Sequence, residues 1–341
     1  MMKSASIKTV SLGVGLLILG VIFAFTVSSA MVLSLATQAT IFAIFALGVG
    51  VLLRQNGMVS FGHAAFYGVS GYAVAILIGQ GFSAETALLF SILGMAVFAA
   101  LLGASIVRVP GIAFGMLTLA IGQMFFQVAS TSRTLTGGAD GMYVDWPSTL
   151  FGLSVNSLLR QDNLFILCWA ILVALATLVG LLVASRFGHV TAAVRDNEER
   201  ARFIGIKTLL PRVAIFTLSA TITSIAGLLS VFHTGFISPE SLHWSVSGAA
   251  LMMVIVGGYK NTWGPAIGAM VFFLTRDLIG DYAQHWLAIF GVALIVVIVF
   301  SPEGISGLLQ RLRRSEHVIA PEPTSSKNEN IKGSLSAGVK A

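Results

Sequence analysis

Polar positions along this chain are sparse and interrupt long apolar runs at near-regular intervals. Residues 9–53 carry no charged side chain. As α-helix that stretch would run about 68 Å, twice the hydrocarbon core of a bilayer. It must therefore fold back, and Ser28-Ser29-Ala30 is the natural turn. Uncharged stretches of helical length follow at Gln55–Ala84, Thr86–Val107, Val109–Ser132, Asn163–Ser185, Val213–Pro239, Ser241–Tyr259, Asn261–Thr275 and Tyr282–Pro302. With the first pair they predict about ten membrane-spanning helices. Asn261–Thr275, short and rich in Gly and Pro, is the weakest of them. Lys3 and Lys8 ahead of Thr9–Val27 also give the outline of a cleaved signal peptide. The apolar run is longer than a signal core, however, and Met31–Leu53 continues it, so a retained first helix is expected.

Composition agrees with this pattern. Of 341 residues, 56% are hydrophobic and 10% charged, with a mean hydropathy of +0.91; a soluble domain carries roughly 25% charged residues. Many of the 36 glycines fall inside apolar runs, as suits helices that pack closely in lipid through small residues. One cysteine, Cys168, lies in an apolar run, so no disulfide framework or cysteine-based zinc site is expected.

The net charge of +6 reflects topology rather than nucleic-acid binding, because no basic stripe with interleaved aromatics exists. Ten spans that start inside place only Arg133, Arg160 and Arg276 outside, which leaves 17 of the 20 Lys and Arg inside. Discounting the three lysines of the far tail, 14 against three still sets the orientation. The expected fold is thus an all-α integral membrane protein with both termini cytoplasmic. Residues 1–310 form the membrane domain, with an external loop at 133–162 and a cytoplasmic loop at 186–212. Residues 311–341, basic and then rich in Ser, Lys, Asn and Pro, read as a disordered cytoplasmic tail.

Absent motifs narrow the function. No G-x-x-x-x-G-K-[ST], H-E-x-x-H or G-x-S-x-G occurs, and the six histidines are scattered. The chain itself is therefore not expected to bind ATP, magnesium or a catalytic metal, nor to be an enzyme. Every Asp and Glu maps to a loop or a span end, and His63 is the histidine expected well inside a span. Ion-coupled carriers usually keep ionisable groups within the bilayer. Such a carrier of a small polar solute stays open as an alternative, but the sequence offers it little. A structural subunit without a pathway is a third possibility.

The inside loop is the most informative segment. The middle of Ala192–Lys207 reads as a short helix in which Glu198 and Glu199 precede Arg202 at i,i+4 and i,i+3. Gly205 supplies a stop, and Pro211 keeps the helix from running into the next span. Ala193, Val194, Ala201 and Ile204 add apolar character, so the helix suits docking in a partner's groove. A solvated loop whose charges only fix topology reads equally well from the charges alone. In the third span Gly57, Ser60, Gly62 and His63, with Gly68 and Gly71, weaken regular helix, as in the interrupted helices that line transport pathways. Close glycine-mediated packing is the other reading. Gln38, Gln123 and Gln127 are further uncharged polar groups in spans, suited to a solute pathway or to interhelical hydrogen bonds. Phe61-Gly62-His63-Ala64 faintly echoes Trp263-Gly264-Pro265-Ala266, but the match pairs spans three and nine. An inverted five-plus-five repeat would pair three with eight, so no repeat is inferred.

Glu199-Arg200-Ala201, three residues, then Gly205 resembles the E-A-A-x-x-x-G loop of ATP-binding-cassette importer permeases, with Arg200 replacing the first Ala. The chain as a whole resembles the branched-chain amino-acid permease family, in its LivM-type subunits. The segments that carry the likeness are 57–68, 135–141, 193–201 and 235–245, followed by Gly257-Gly258 and Trp263-Gly264-Pro265, in family order over about residues 30–305. This resemblance implies a subunit of the bacterial inner membrane that translocates branched-chain or related amino acids by alternating access. It implies as partners a second homologous permease, two cytoplasmic ATPases that bind ATP and Mg, and an extracytoplasmic binding protein. Arg195, Asp196, Glu198, Glu199, Arg200, Ala201, Arg202 and Gly205 would then form the ATPase-coupling helix. Gln38, Gly57, Ser60, Gly62, His63, Gln123 and Gln127 are candidates for the pathway. Thr136, Gly137, Gly138 and Asp140 lie where a binding protein would dock. Relatives by architecture carry urea and small amides, so the same machinery with such a substrate is a further alternative.

Overall fold

A computed structural model describes residues 2–280, 288, 291–292, 295 and 304–307. Most of the predicted tenth span (282–302), the basic residues Arg311, Arg313 and Arg314 and the tail lie outside the described residues. Nine helices match the other nine spans: α1 Met2–Thr26, α2 Ala30–Asn56, α3 His63–Gly79, α4 Ala84–Ile106, α5 Gly111–Thr131, α8 Gln161–Ala184, α11 Leu209–Thr234, α12 Trp244–Gly257 and α13 Gly264–Gly280. Between them lie α6 Arg133–Thr136, α7 Val155–Leu158, α9 Arg186–Asp196 and α10 Glu198–Phe203, with two-residue strands β1 Met142–Tyr143, β2 Thr149–Leu150, β3 Leu153–Ser154 and β4 Phe236–Ile237. The turn between α1 and α2 falls at 27–29, as the small polar break predicts. The chain is thus an all-α membrane protein, and the short strands only staple loops.

In lipid, apolar composition alone cannot say which helix is central, since tails solvate Leu as well as protein does. Packing decides it. Of the spans of α2 and α11, 78% and 72% are buried inside the protein, against 17–28% for α1, α4, α5 and α8. The last four carry their apolar side chains outward, such as Leu101 of α4 and Met116 of α5. The two central helices cross closely where Gly48 meets Ser219 and Thr223.

The predicted third span, Gln55–Ala84, is not one helix. Gly57 ends α2 in the left-handed conformation, and residues 57–62 run without helix before α3 starts at His63. Backbone of this kind survives at membrane depth only with partners in the protein. The Phe61 amide donates to Thr118 Oγ1 (3.2 Å) and the Gly62 amide to Ser60 Oγ (3.3 Å). Helices α3 and α12 have 17 and 14 residues, about 26 and 21 Å, each short of a bilayer core. The chain before α12 is likewise non-helical: β4 pairs antiparallel with β1, and a 3₁₀ turn Pro239–Leu242 follows. The starts of the two short helices meet where the Ala64 amide donates to Ser247 Oγ (2.8 Å). A parallel layout therefore joins spans three and eight. Each follows a central helix that ends in a left-handed glycine, Gly57 or Gly235, and an irregular segment.

Where α3 approaches α11 most closely, a Cβ at Gly227 would collide with the carbonyl oxygen of Tyr67. At Gly94 on α4 nothing lies within 4 Å of such a Cβ. Gly227→Val is expected to destabilise the detergent-solubilised protein by about 3 kcal/mol or more, since backbone must shift. Gly94→Ala should be neutral or slightly stabilising. Thermal unfolding monitored by fluorescence checks both.

Candidate functional site

Two features stand out at opposite ends of the bundle. At the end where α2 stops and α11 begins, α9 and α10 form a bent pair. Ser185 caps α9, accepting from the Gly188 amide (3.2 Å), and Asn197 caps α10, accepting from the Arg200 amide (2.8 Å). After Phe203 the Gly205 amide bonds to the Arg202 carbonyl (2.9 Å) and the Ile206 amide to the Ala201 carbonyl (3.0 Å). This is a Schellman stop, and the left-handed φ of Gly205 (+85°) is what it requires. Pro211 falls in the first turn of α11, where its missing N–H costs no bond.

The charges of the pair divide into two sets. Glu198 faces inward: one carboxylate oxygen takes Arg202 (2.5 Å) and the Thr208 hydroxyl (2.9 Å), the other takes Arg212 of α11 (2.6 Å). Burial works to raise this carboxyl, but the Thr208 hydroxyl and the Arg212 and Arg202 guanidiniums outweigh it and hold it below the usual carboxylate range. Arg195 donates to the Arg54 carbonyl (2.6 Å) and pairs with Asp196 (2.7 Å). Thr191 donates to Gln55 Oε1 (2.6 Å), and Asn56 donates to the Arg212 carbonyl (3.0 Å). Arg195, Glu198 and Arg202 thus fasten the pair to the ends of α2 and α11, Asp196 pairs only with Arg195, and Ala201 is buried beneath the pair. Glu199, Arg200, Phe203 and Ile204 are left facing outward. Phe203 is 90% exposed. It was not among the residues singled out from sequence, although it lies four positions after Glu199, on the same helical row.

At the other end, a cavity of about 770 Å³ opens among the outer ends of α2, α11, α12 and α13. Gln38 lines it, and so do Glu240 and Arg276, which sequence reasoning had treated only as loop charges. Its floor is aromatic: Phe42 and Tyr67 line it, Phe45 stacks under Tyr67 with ring centres 5.2 Å apart, and Phe273 lies 5.1 Å from Phe42.

The other pathway candidates lie elsewhere. His63 is fully buried, its Nδ1 against Ser60 Oγ and its Nε2 against Ser219 Oγ, both at 2.8 Å. Ser219 in turn donates to the Gly48 carbonyl (2.6 Å). Because that bond uses the hydroxyl proton, Nε2 must donate and Nδ1 accept, which the neutral imidazole satisfies completely. Ser60 and Gly62 border only a small crevice of about 10 Å³ between α3, α4 and α5. Gly57 lies beside Arg195 at the opposite end, and Gln123 and Gln127 are on α5. Of the external-loop residues, Thr136 is buried and donates to the Ala129 and Ser132 carbonyls (2.6 and 2.8 Å), and Gly138 is buried as well. Gly137 makes the turn after α6, and only Asp140 is exposed. The exposed side chains of that loop include Tyr143 and Phe151, the latter at the tip of the β2–β3 hairpin. Among the described residues no group of three or more His, Cys, Asp or Glu is placed to hold a metal.

Two outcomes follow from these bonds. Ser219→Ala removes a partner from His63 and from Gly48 at once, and should cost about 1–3 kcal/mol in detergent unfolding. Glu198→Gln should raise hydrogen exchange at the Ala201 and Ile206 amides. Because the folded carboxyl titrates below its unfolded value, the clamp stabilises fully above about pH 4.3. That contribution disappears as pH falls through the lowered folded value, so acid should loosen α10 in the parent chain and have little effect in the variant.

A family profile described as "Branched-chain amino acid transport system / permease component" matches residues 31–301. The chain is 27% identical over 315 residues to the high-affinity branched-chain amino acid transport system permease protein LivM of Escherichia coli K12, covering 86% of this chain and 73% of that one. It is 24% identical over 248 residues to a probable branched-chain amino acid transport permease protein LivM of Methanocaldococcus jannaschii, covering 67% and 69%. It is also 25% identical over 303 residues to the autoinducer 2 import system permease protein LsrC of Escherichia coli, covering 84% of each. No solved structure matches the chain. With four-fifths of its length inside the profile, this multi-pass inner-membrane protein belongs to the permease family of branched-chain amino-acid transport systems.

Proposed function

We propose that this chain is the membrane subunit of an ATP-driven importer of branched-chain or related amino acids, and that α9–α10 is the lever through which partner ATPases act on it. The observation that carries this reading is the division of side chains on α10. One set binds the pair to the buried helices α2 and α11, and the other, Glu199, Arg200, Phe203 and Ile204, stands free as a mixed apolar and charged knob. A partner that grips the knob moves both central helices, because Arg212 and Glu198 join α10 to α11 while Arg195 and Thr191 join α9 to α2. The outer ends of those same helices line the cavity. A push at one end can therefore close or open the other, the requirement of alternating access.

An ion-coupled carrier finds less support. His63 is satisfied as a neutral packing group, and no acid among the described residues sits at mid-span. The relation to the autoinducer 2 permeases keeps a solute other than an amino acid as the second reading of the same architecture. A second permease, two ATPases and an external binding protein complete the proposed assembly.

The test is uptake by the reconstituted assembly in vesicles, with and without ATP and with the proton gradient collapsed. Uptake is expected to need ATP and to survive the collapse; uptake by this chain alone, driven by the gradient, would establish the carrier. Glu199→Lys and Phe203→Ala should each lower ATP-driven uptake at least tenfold and weaken ATPase association, while the protein stays inserted with an unchanged unfolding temperature. Normal association and uptake in both variants would remove the lever.

A further inference from the structure

We propose that the cavity at the outer ends of α2, α11, α12 and α13 holds a zwitterionic solute, with Arg276 recognising a carboxylate and Glu240 an ammonium group. The inference rests on the importer reading above and decides between its two classes of cargo. The cavity, about 770 Å³, is within the usual range for small-molecule sites. Its two fully charged side chains have opposite sign and come from different elements, the 3₁₀ turn before α12 and the outer part of α13. Neither forms an ion pair among the described residues. Arg276 instead lies over the Phe273 ring, 5.9 Å from its centre. Opposite charges that line one cavity without neutralising each other suit a ligand that carries both signs, each pole finding its complement.

The rest of the lining contains no Asp, Glu, Lys or Arg. Gln38 and the hydroxyls of Ser230 and Thr234 are polar, and His243 is engaged with Ser245 Oγ (2.8 Å). His233 contributes a second imidazole, whose Nε2 lies 3.5 Å from Ser34 Oγ. Ser245 and Val246 bring the first turn of α12, the positive end of a 14-residue helix, to the wall. Ile41, Phe42, Phe126 and Val246 give an apolar surface for an aliphatic side chain. A neutral polyhydroxy solute would satisfy the hydroxyls but leave both charges without partners, a poorer match than a free amino acid.

The experiment uses the complete transporter with its ATPases and binding protein in proteoliposomes, and also this permease carrying Ser241→Cys, a residue of the cavity wall. At saturating leucine-loaded binding protein, Arg276→Gln and Glu240→Gln should each cut leucine uptake at least tenfold, and Arg276→Lys should keep a third or more of it. In the Ser241→Cys chain, leucine should slow labelling by an impermeant thiol reagent at least fivefold without ATP. Leucinamide, isocaproate and xylitol, each lacking one or both charges, should not. Parental uptake in both glutamine variants, labelling indifferent to leucine, or equal protection by xylitol would overturn the proposal. Protection by leucine in a system whose uptake ignores ATP would support the site and count against the importer reading, so the two fail separately.

Discussion

The arrangement depends on one buried hydroxyl. Ser219 lies on α11, donates to the Gly48 carbonyl of α2 and accepts from His63 at the start of α3. Three helices meet there, with His63, Ser60 and Ser219 all buried, so each polar atom must find its partner in protein. Ser60 completes the set through His63 Nδ1. Because α3 begins only at His63, this knot also fixes where the irregular segment 57–62 ends. Glycine at position 48 lets α2 come close enough for the bond to form. A side chain that could be mistaken for a proton carrier is better understood as the fastener of an interrupted helix.

From the knot, structure extends in both directions along the same two helices. Toward one end α2 and α11 hold α9 and α10 through Gln55, Asn56 and Arg212. Toward the other they wall the cavity with Gln38, Ile41, Ser230 and His233. The aromatic layer of Phe42, Tyr67 and Phe45 separates the cavity from the packed middle. A central pair packed this way would carry a displacement of α9–α10 to the cavity, since packed helices move as units rather than by continuous deformation.

Much of this was legible in the residues. Uncharged runs between charges gave nine helices in nearly their observed positions. Capping and stop chemistry, with Glu198 before Arg202 and Gly205 after it, placed the short helix of the 186–212 loop. The reason is local: desolvation of backbone forces helix in a bilayer, and caps act within a turn. What misled was also local in appearance. Gln55–Ala84 carries no charge and so has the outline of one span; its glycines, Ser60 and His63 signal weakened helix but not that α3 starts only at His63. Glu198 and Glu199 look equivalent, yet one is clamped and the other free.

Sequence by itself determined the class, the nine long helices of the described residues, and the family, because apolar length answers to the membrane one segment at a time. Tertiary structure alone decided which helices are central, that spans three and eight share a broken layout, that Phe203 is presented while Arg195 and Arg202 are occupied, and that Glu240 and Arg276 share a cavity. Those outcomes depend on residues as far apart as 48 and 219, or 240 and 276. Lipid solvates all apolar faces alike, so no hydrophobic pattern records which face meets which, and only packing and buried hydrogen bonds between distant segments can choose.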